Sequence, residues 1–309
     1  VDRSYIDDVC SRIQLSRPLK IVIDCGNAVP GKIAPTLLQE LGCNVHPIFC
    51  EIDGSFPNHH PDPTVPESLT VLASTVLEKN ADIGIALDGD GDRVGIVTNR
   101  GNFVDADRLL MVLVQSILPN YSGRTVVFDV KCSSKLVTLV EQFGGSPVMH
   151  RSGHSFMKQK MQETNAILGG EFAAHIFIKD NWFGFDDGLY VAARLLKIIS
   201  ESATSSDEIF NQYVTGFSTP EIKVEVREER KFSLMDRLLE LANFPAAKLI
   251  TLDGLRVEYP DGWGLVRASN TSPALLLRFE ADSEEKMIEI QTQFRSLILS
   301  ADKNLEIGF

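Results

Sequence analysis

Leu19-Lys20-Ile21-Val22-Ile23-Asp24, with the turn Gly26-Asn27-Ala28-Val29-Pro30 and the segment through Cys50 behind it, is the stretch on which the fold turns. Ile21-Val22-Ile23 is an apolar, β-branched run ending on Asp24, the pattern of a buried strand. Ile33, Leu37, Leu38 and Leu41 then recur at helical spacing, Gly42 stops them, and Val45 to Phe49 is apolar again. That is strand, helix, strand. The pattern returns further on. Val126-Val127-Phe128 ends in Asp129, Leu136 to Phe143 reads as helix, Gly144-Gly145 stops it, and Pro147-Val148-Met149 is the next strand. The repeat predicts an α/β protein with two related α/β domains built on mixed sheets.

The tail reads differently. Glu221 to Val226, Leu249 to Val257, Gly264 to Ala268 and Ala274 to Ala281 have strand character, and Phe232 to Leu241 has helix character. A closing helix runs from about Ser283 to Leu299, with Asp282 and Glu285 placed as a capping box. This grouping predicts a small α+β C-terminal domain, reached through a linker near Gly216 to Pro220 that follows the Ser/Thr-rich Ser200 to Ser206. The expected domains are 1–102, 103–215 and 216–309, and the segment Tyr5 to Ile13 before the first strand reads as a short helix.

Composition narrows the function. With 309 residues, 44% hydrophobic and 23% charged, the chain has the make-up of a soluble globular protein. Its net charge of −12 argues against a nucleic-acid or anionic-membrane partner, since each requires a large basic surface. Cys10, Cys25, Cys43, Cys50 and Cys132 are odd in number and lack zinc spacing, which fits thiols of a reducing cytoplasm. No apolar run reaches the ~18–20 residues of a membrane helix. The chain starts at Val1 with no methionine and no signal peptide, so processing or excision is expected.

The chemistry concentrates in Ile83 to Val97, IGIALDGDGDRVGIV. Two apolar strands flank Asp88-Gly89-Asp90-Gly91-Asp92-Arg93. Alternate residues of an extended loop point the same way, so the three aspartates can converge, with glycines letting the backbone curl around them. Clustered carboxylates repel unless a cation lies among them, and an all-oxygen donor set favours a hard one, Mg²⁺. An EF-hand would need Gly and Glu where Arg93 and Asn99 stand, between helices rather than strands. An aspartyl phosphatase would need a hydroxyl in place of Asp92 and a later acidic pair. His59 and His60, set among Pro61, Asp62 and Pro63, read as a structured linker rather than a metal pair. Asp186 and Asp187 read as caps of a helix from Leu189 to Ile199.

Asp88 to Arg93 resembles the metal loop of the α-D-phosphohexomutases, and further motifs follow in family order. Phe56-Pro57-Asn58-His59-His60-Pro61-Asp62-Pro63 resembles a stretch upstream of that loop. Gly170-Glu171-Phe172-Ala173-Ala174-His175 resembles the sugar-recognition loop, followed by Trp182-Phe183-Gly184-Phe185-Asp186-Asp187-Gly188. Arg267-Ala268-Ser269-Asn270-Thr271-Ser272-Pro273 resembles the phosphate-binding loop. The nearest likeness is to the bacterial phosphomannomutase/phosphoglucomutase branch.

The resemblance implies interconversion of hexose 1-phosphates and 6-phosphates, of mannose and glucose, through a hexose 1,6-bisphosphate that is both intermediate and activator. It implies Mg²⁺ on Asp88, Asp90 and Asp92, with Arg93 meeting phosphate and Lys131 and His154 lining the cleft for phosphate contact or proton transfer. Glu171 and His175 would hold sugar hydroxyls, while Arg267, Ser269, Asn270 and Thr271 would hold the phosphate, a role that the guanidinium fork and the neutral donors suit. The chain departs from the family where Ala173 and Ala174 replace serine and glycine, a loss of one sugar hydrogen bond worth ~0.5–1.5 kcal/mol. Phe172 stands where aminosugar mutases have glutamine, which disfavours glucosamine phosphate.

The family reaction also requires a phosphoserine in a Thr-x-Ser-His-Asn-Pro-like loop, and no such sequence occurs in the chain. The expectation is therefore domains two to four of a mutase, with the N-terminal serine domain missing and the chain inactive alone. A non-catalytic sugar-phosphate-binding protein and a metal-dependent phosphatase are the alternatives.

Overall fold

The computed structural model describes residues 2–214, 216–245 and 247–309, so Thr215, at the expected second domain boundary, lies outside the described residues. The described part forms two compact units, one built from the residues up to Met149 with Gly153–Tyr213, the other from His150–Ser152 with Val214–Phe309.

The first unit opens with the helix Asp2–Arg12 and holds two sheets. One contains β1 (Lys20–Asp24), β2 (Asn44–Ile48), β3 (Ile83–Leu87), β4 (Val94–Thr98) and β5 (Phe103–Val104), in the order β2-β1-β3-β4-β5. β2, β1 and β3 run parallel and β4 and β5 antiparallel, so the sheet is mixed. The other contains β6 (Thr125–Asp129), β7 (Ser146–His150), β8 (Leu168–Gly170) and β9 (Ile176–Ile178), in the order β7-β6-β8-β9. Here β6 and β8 are parallel and β9 returns antiparallel. The second sheet thus repeats the order of the first, less its last strand.

Two expected domains share one compact unit because a single core runs through both. The helix Gly188–Glu201 packs on β3 and β4 of one sheet and on β9 of the other. Its face of Leu189, Val191, Ala192, Leu195 and Ile199 is buried in the same cluster as Ile21, Ile85, Phe128 and Leu168. The Ser/Thr-rich stretch before the linker leads into a further helix, Ser206–Asn211, where Ser205 and Glu208 form a capping box.

The second unit carries β10 (Phe217–Ser218), β11 (Ile222–Glu225), β12 (Lys248–Ile250), β13 (Leu255–Tyr259), β14 (Gly262–Ala268) and β15 (Ala274–Ala281) in one antiparallel sheet. The helices Lys231–Leu241 and Glu284–Ala301 cover one face, with Val257, Val266, Leu277, Phe279 and Phe294 in the core. The stretch expected as one strand, Leu249 to Val257, is two strands joined by Thr251–Gly254, where Gly254 takes φ +83°. The last helix is capped by Ser283, whose side chain accepts from the Lys286 amide, so the expected cap at Asp282 is corrected by one residue. Among the described residues no helix is long and apolar enough to cross a membrane.

Candidate active site

β3 and β8 each run parallel to a neighbouring strand and end at the loops that carry Asp88 and Glu171, where the side chains leave the apolar sheet. β3 ends at Leu87 and β4 resumes at Val94, every residue of both strands buried, so the six residues between them form a tethered loop. The loop is bent rather than extended, with Gly91 at φ +84°. Even so, a carboxylate oxygen from each of Asp88, Asp90 and Asp92 lies within 4.8 Å of the other two.

The three aspartates are not equivalent. Asp88 is buried, and its Oδ1 accepts from the Gly91 amide (3.0 Å) and the Arg93 amide (3.1 Å), while Oδ2 accepts from Arg93 Nε (2.9 Å). Asp88 therefore shapes the loop as well as contributing charge. Asp90 is exposed and Asp92 half-buried. Burial, then the negative charge of Asp88, Asp90 and Asp186, pushes Asp92 up to about 6 against the pull of His175. An all-oxygen cluster in which Asp88 and Asp90 act on Asp92 in this way fits a hard divalent cation.

Arg93 gives Nε to Asp88 and one terminal nitrogen to Asp62 (3.1 Å). Asp62 comes from the upstream proline-rich motif. In that motif His59 Nε2 lies 3.1 Å from the buried Asp24 carboxylate and Nδ1 2.9 Å from the His60 carbonyl, an arrangement that fixes the segment against the end of β1.

The Glu171–His175 loop lies directly on the aspartate loop. Arg93 and His175 form an antiparallel bridge, and the Gly188 amide donates to the Gly91 carbonyl at 2.9 Å. Glu171 is buried; its Oε1 accepts from the Gly153 amide (2.6 Å), and its Oε2 is buried with no hydrogen-bond partner among the described residues. Burial, reinforced by Asp129, pushes Glu171 up to about 7, against the lowering effect of the Gly153 amide, His175 and Lys131. Buried carboxylate oxygens normally have a donor, so this one marks an open position.

His175 Nδ1 stands 3.1 Å from Asp186 Oδ2 and 3.5 Å from Asp92 Oδ1, but neither it nor Asp186 Oδ2 makes an aligned hydrogen bond. Burial alone would lower the His175 pKa; Asp186, Asp92 and Glu171 override it and raise it. The His154 ring stacks on His175, centroids 5.5 Å apart. Lys131 is buried at the end of β6, with Nζ 6.0 Å from the Phe172 ring centroid. The structure thus brings Asp88, Asp90, Asp92, Arg93, His154, Glu171 and His175 into one neighbourhood, with Lys131 beside Glu171.

The other four expected residues belong to the second unit. Arg267 is buried on β14, its fork held by Asp253 through Nε (3.0 Å) and a terminal nitrogen (3.3 Å). Ser269 turns inward, and its Oγ accepts from the Thr271 and Ser272 amides. Asn270 and Thr271 are exposed at the tip. Within the unit the serine builds the turn and its neighbours face outward.

Sequence reasoning missed three residues. Asp187 caps the helix Gly188–Glu201, accepting from the Tyr190 amide, but Asp186 does not. Asp186 instead meets His175 and accepts from Lys158 (2.8 Å), and these two hold its pKa low against the effect of burial. Asp62 and Asp253, which grip Arg93 and Arg267, were also passed over. Asp62 and Asp186 lie inside the quoted motifs; Asp253 carries only the signal of its Asp-Gly turn.

Comparison with known proteins gives a family to this geometry. Three family models match in succession: the phosphoglucomutase/phosphomannomutase α/β/α domain II over residues 3–101, domain III over 105–217, and the C-terminal domain over 221–297. The chain is 49% identical over 305 residues to a phosphomannomutase/phosphoglucomutase of Pseudomonas aeruginosa, covering 99% of this chain and 66% of that protein. It is 46% identical over 302 residues to a phosphoglucomutase of Neisseria meningitidis, covering 97% and 65%. A solved phosphoglucomutase/phosphomannomutase family protein of Burkholderia thailandensis superimposes with a TM-score of 0.94 at 44% identity, over 100% of this chain and 66% of that one. The chain therefore spans about two thirds of the length of the relatives it matches. With successive domain models over almost all of its residues and relatives at nearly half identity, the chain belongs to the phosphoglucomutase/phosphomannomutase family and carries its domains II, III and IV.

Proposed function

We propose that this chain is the metal-, sugar- and phosphate-binding part of a phosphomannomutase/phosphoglucomutase, which interconverts hexose 1-phosphate and hexose 6-phosphate through a hexose 1,6-bisphosphate. The observation that carries the reading is the junction of the Asp88/Asp90/Asp92 cluster with the Glu171–His175 loop through the Arg93–His175 bridge. It sets three clustered carboxylates beside a buried acceptor that lacks a donor among the described residues. Domain tasks divide at 102/103 and 215/216: cation, sugar, phosphate. Five free cysteines fit a cytoplasmic enzyme.

In this reading Asp88, Asp90 and Asp92 hold Mg²⁺, which supplies neutralisation of the charge that develops on a transferring phosphoryl group. Arg93, anchored by Asp62 and Asp88, presents its remaining donors to phosphate. Glu171 Oε2 accepts from a sugar hydroxyl, and because it addresses the ring rather than either end, it tolerates both orientations of the bisphosphate. Arg267 and the Asn270–Thr271 tip hold the phosphate that is not reacting. The phosphoserine that gives and takes the phosphoryl group comes from sequence outside these 309 residues.

Calorimetric titration with glucose 1-phosphate in Mg²⁺, beside an Arg267→Ala variant, tests the proposal. Heat that vanishes in the variant is the expected result. Binding that survives the variant removes the phosphate site and the mechanism resting on it. Mannose 1-phosphate in the same cell measures sugar preference.

A further inference from the structure

Cys25 and Cys50 lie apart in sequence but meet in space, because the parallel register of β1 and β2 sets Asp24 against Ile48 and both chains continue past the sheet side by side. Their sulfurs are 3.4 Å apart. The two loops are clipped together around the pair: the Asn27 amide donates to the Phe49 carbonyl (2.7 Å), Asn27 Nδ2 to the Glu51 carbonyl (2.8 Å), and the Asp53 amide to the Asn27 carbonyl (2.9 Å). Cys25 is fully buried, whereas Cys50 is half-buried.

We propose that Cys25 and Cys50 are a modification site: an attacking and a resolving thiol that form a reversible disulfide with a hydroperoxide as oxidant. With hydrogen peroxide, Cys50 Sγ attacks one oxygen and breaks the O–O bond; the other oxygen leaves as water with the thiol proton, and Cys50 becomes a sulfenic acid. Cys25 Sγ then attacks the Cys50 sulfur and expels its hydroxyl as a second water, the Cys25 proton going to that leaving group. The S–S bond forms, the thiol pair loses two electrons and the peroxide gains them. The sulfurs must close from 3.4 Å to ~2.05 Å, a movement within reach of two loops. The contact with Cys25 lowers the Cys50 thiol from its ordinary value, while Cys25 is itself raised, which fits Cys50 as the attacking thiol.

The site is independent of the catalytic reading, though it borders it. A β-carbon on Gly31 would sit 2.1 Å from the Cys50 carbonyl, and one on Gly91 3.0 Å from Pro30, so the Cys25 loop touches both Cys50 and the aspartate loop.

The test is a peptide map of the whole chain after treatment with hydrogen peroxide, without reduction. Trypsin cuts after Lys20, Lys32 and Lys79, which puts Cys25 on one peptide and Cys43 with Cys50 on another. The expected product is these two peptides joined, lighter by two hydrogen atoms than their sum, with fragmentation placing the link at Cys50 and dithiothreitol reversing it. In Cys25→Ser, Cys50 should instead accumulate as a dimedone-trapped sulfenic acid. A link through Cys43 overturns the proposal, as does a sulfenic acid that accumulates at Cys50 with Cys25 intact. Unmodified Cys50 at peroxide levels that oxidise free cysteine overturns it as well.

Discussion

At the scale of single residues, the site is assembled from groups that the fold alone would not favour. Glu171 illustrates the cost. Its pKa, raised to about 7, means that the folded chain holds a proton which the unfolded chain releases at ordinary carboxylate pH. Between roughly pH 4.5 and 7 the unfolded state therefore binds fewer protons, and stability falls as pH rises through that window. Glu171→Gln keeps an acceptor for the Gly153 amide and removes the charge. The variant should match the parent near pH 4.5 and exceed it at pH 8, by on the order of a few kcal/mol at most, while losing sugar-phosphate affinity. Denaturant melts at the two pH values check this; an unstabilised variant at pH 8 would mean that Glu171 is not buried as a charge. Asp90 gives a complementary case. It is exposed, so Asp90→Asn should weaken Mg²⁺ binding by tenfold or more and, by relieving its repulsion of Asp92, should not lower the metal-free melting temperature. Calorimetry with Mg²⁺ separates the two effects, and unaltered affinity would take Asp90 out of the ligand set.

At the scale of elements, the aspartate loop is held by what surrounds it. Gly188 opens the helix that bridges both sheets, and a β-carbon there would stand 2.7 Å from the Arg93 carbonyl oxygen and 2.9 Å from that of Gly91. Backbone atoms cannot rotate away, so Gly188→Ala should cost ~1–3 kcal/mol and lower Mg²⁺ affinity by shifting the loop. Gly54→Ala, which meets nothing within 4 Å, is the control. Loss of stability with intact Mg²⁺ affinity would show that the helix start and the loop are not coupled. The same elements show what a sequence reveals. β3 and β4 were legible because a fully buried strand is an unbroken apolar run with a polar interruption at its end. The turn inside Leu249 to Val257 was not, since Asp253-Gly254 sits within an otherwise apolar alternation. The cap at Ser283 was misread because Asp282 and Ser283 are both competent caps and only backbone geometry chooses between them. Asp186 was misread for a related reason: two adjacent acids precede a helix, one caps it, and the other is left to meet His175.

At the scale of the whole molecule, binding and turnover come apart. All the groups proposed to hold the cation, the sugar and the phosphate lie within these residues, whereas no serine loop of the kind that carries the phosphoryl group does. The chain also spans about two thirds of the length of its relatives. Affinity for a hexose phosphate draws on contacts with the ground state; phosphoryl transfer needs in addition a nucleophile positioned in line, and orientation alone is worth ~7–11 kcal/mol of barrier. The chain by itself should therefore bind glucose 1-phosphate with Mg²⁺ and give no glucose 6-phosphate above background in a coupled assay. Activity that persists in the wild-type chain and disappears in Asp90→Asn would overturn this, because a contaminating enzyme would ignore the substitution. Release of inorganic phosphate with the same dependence on Asp90 would instead select the phosphatase alternative, since a mutase returns every phosphoryl group to sugar or serine. Silence in both assays, with binding intact, is the expected result, and it separates the proposed binding groups from the transfer step, which needs a phosphoserine.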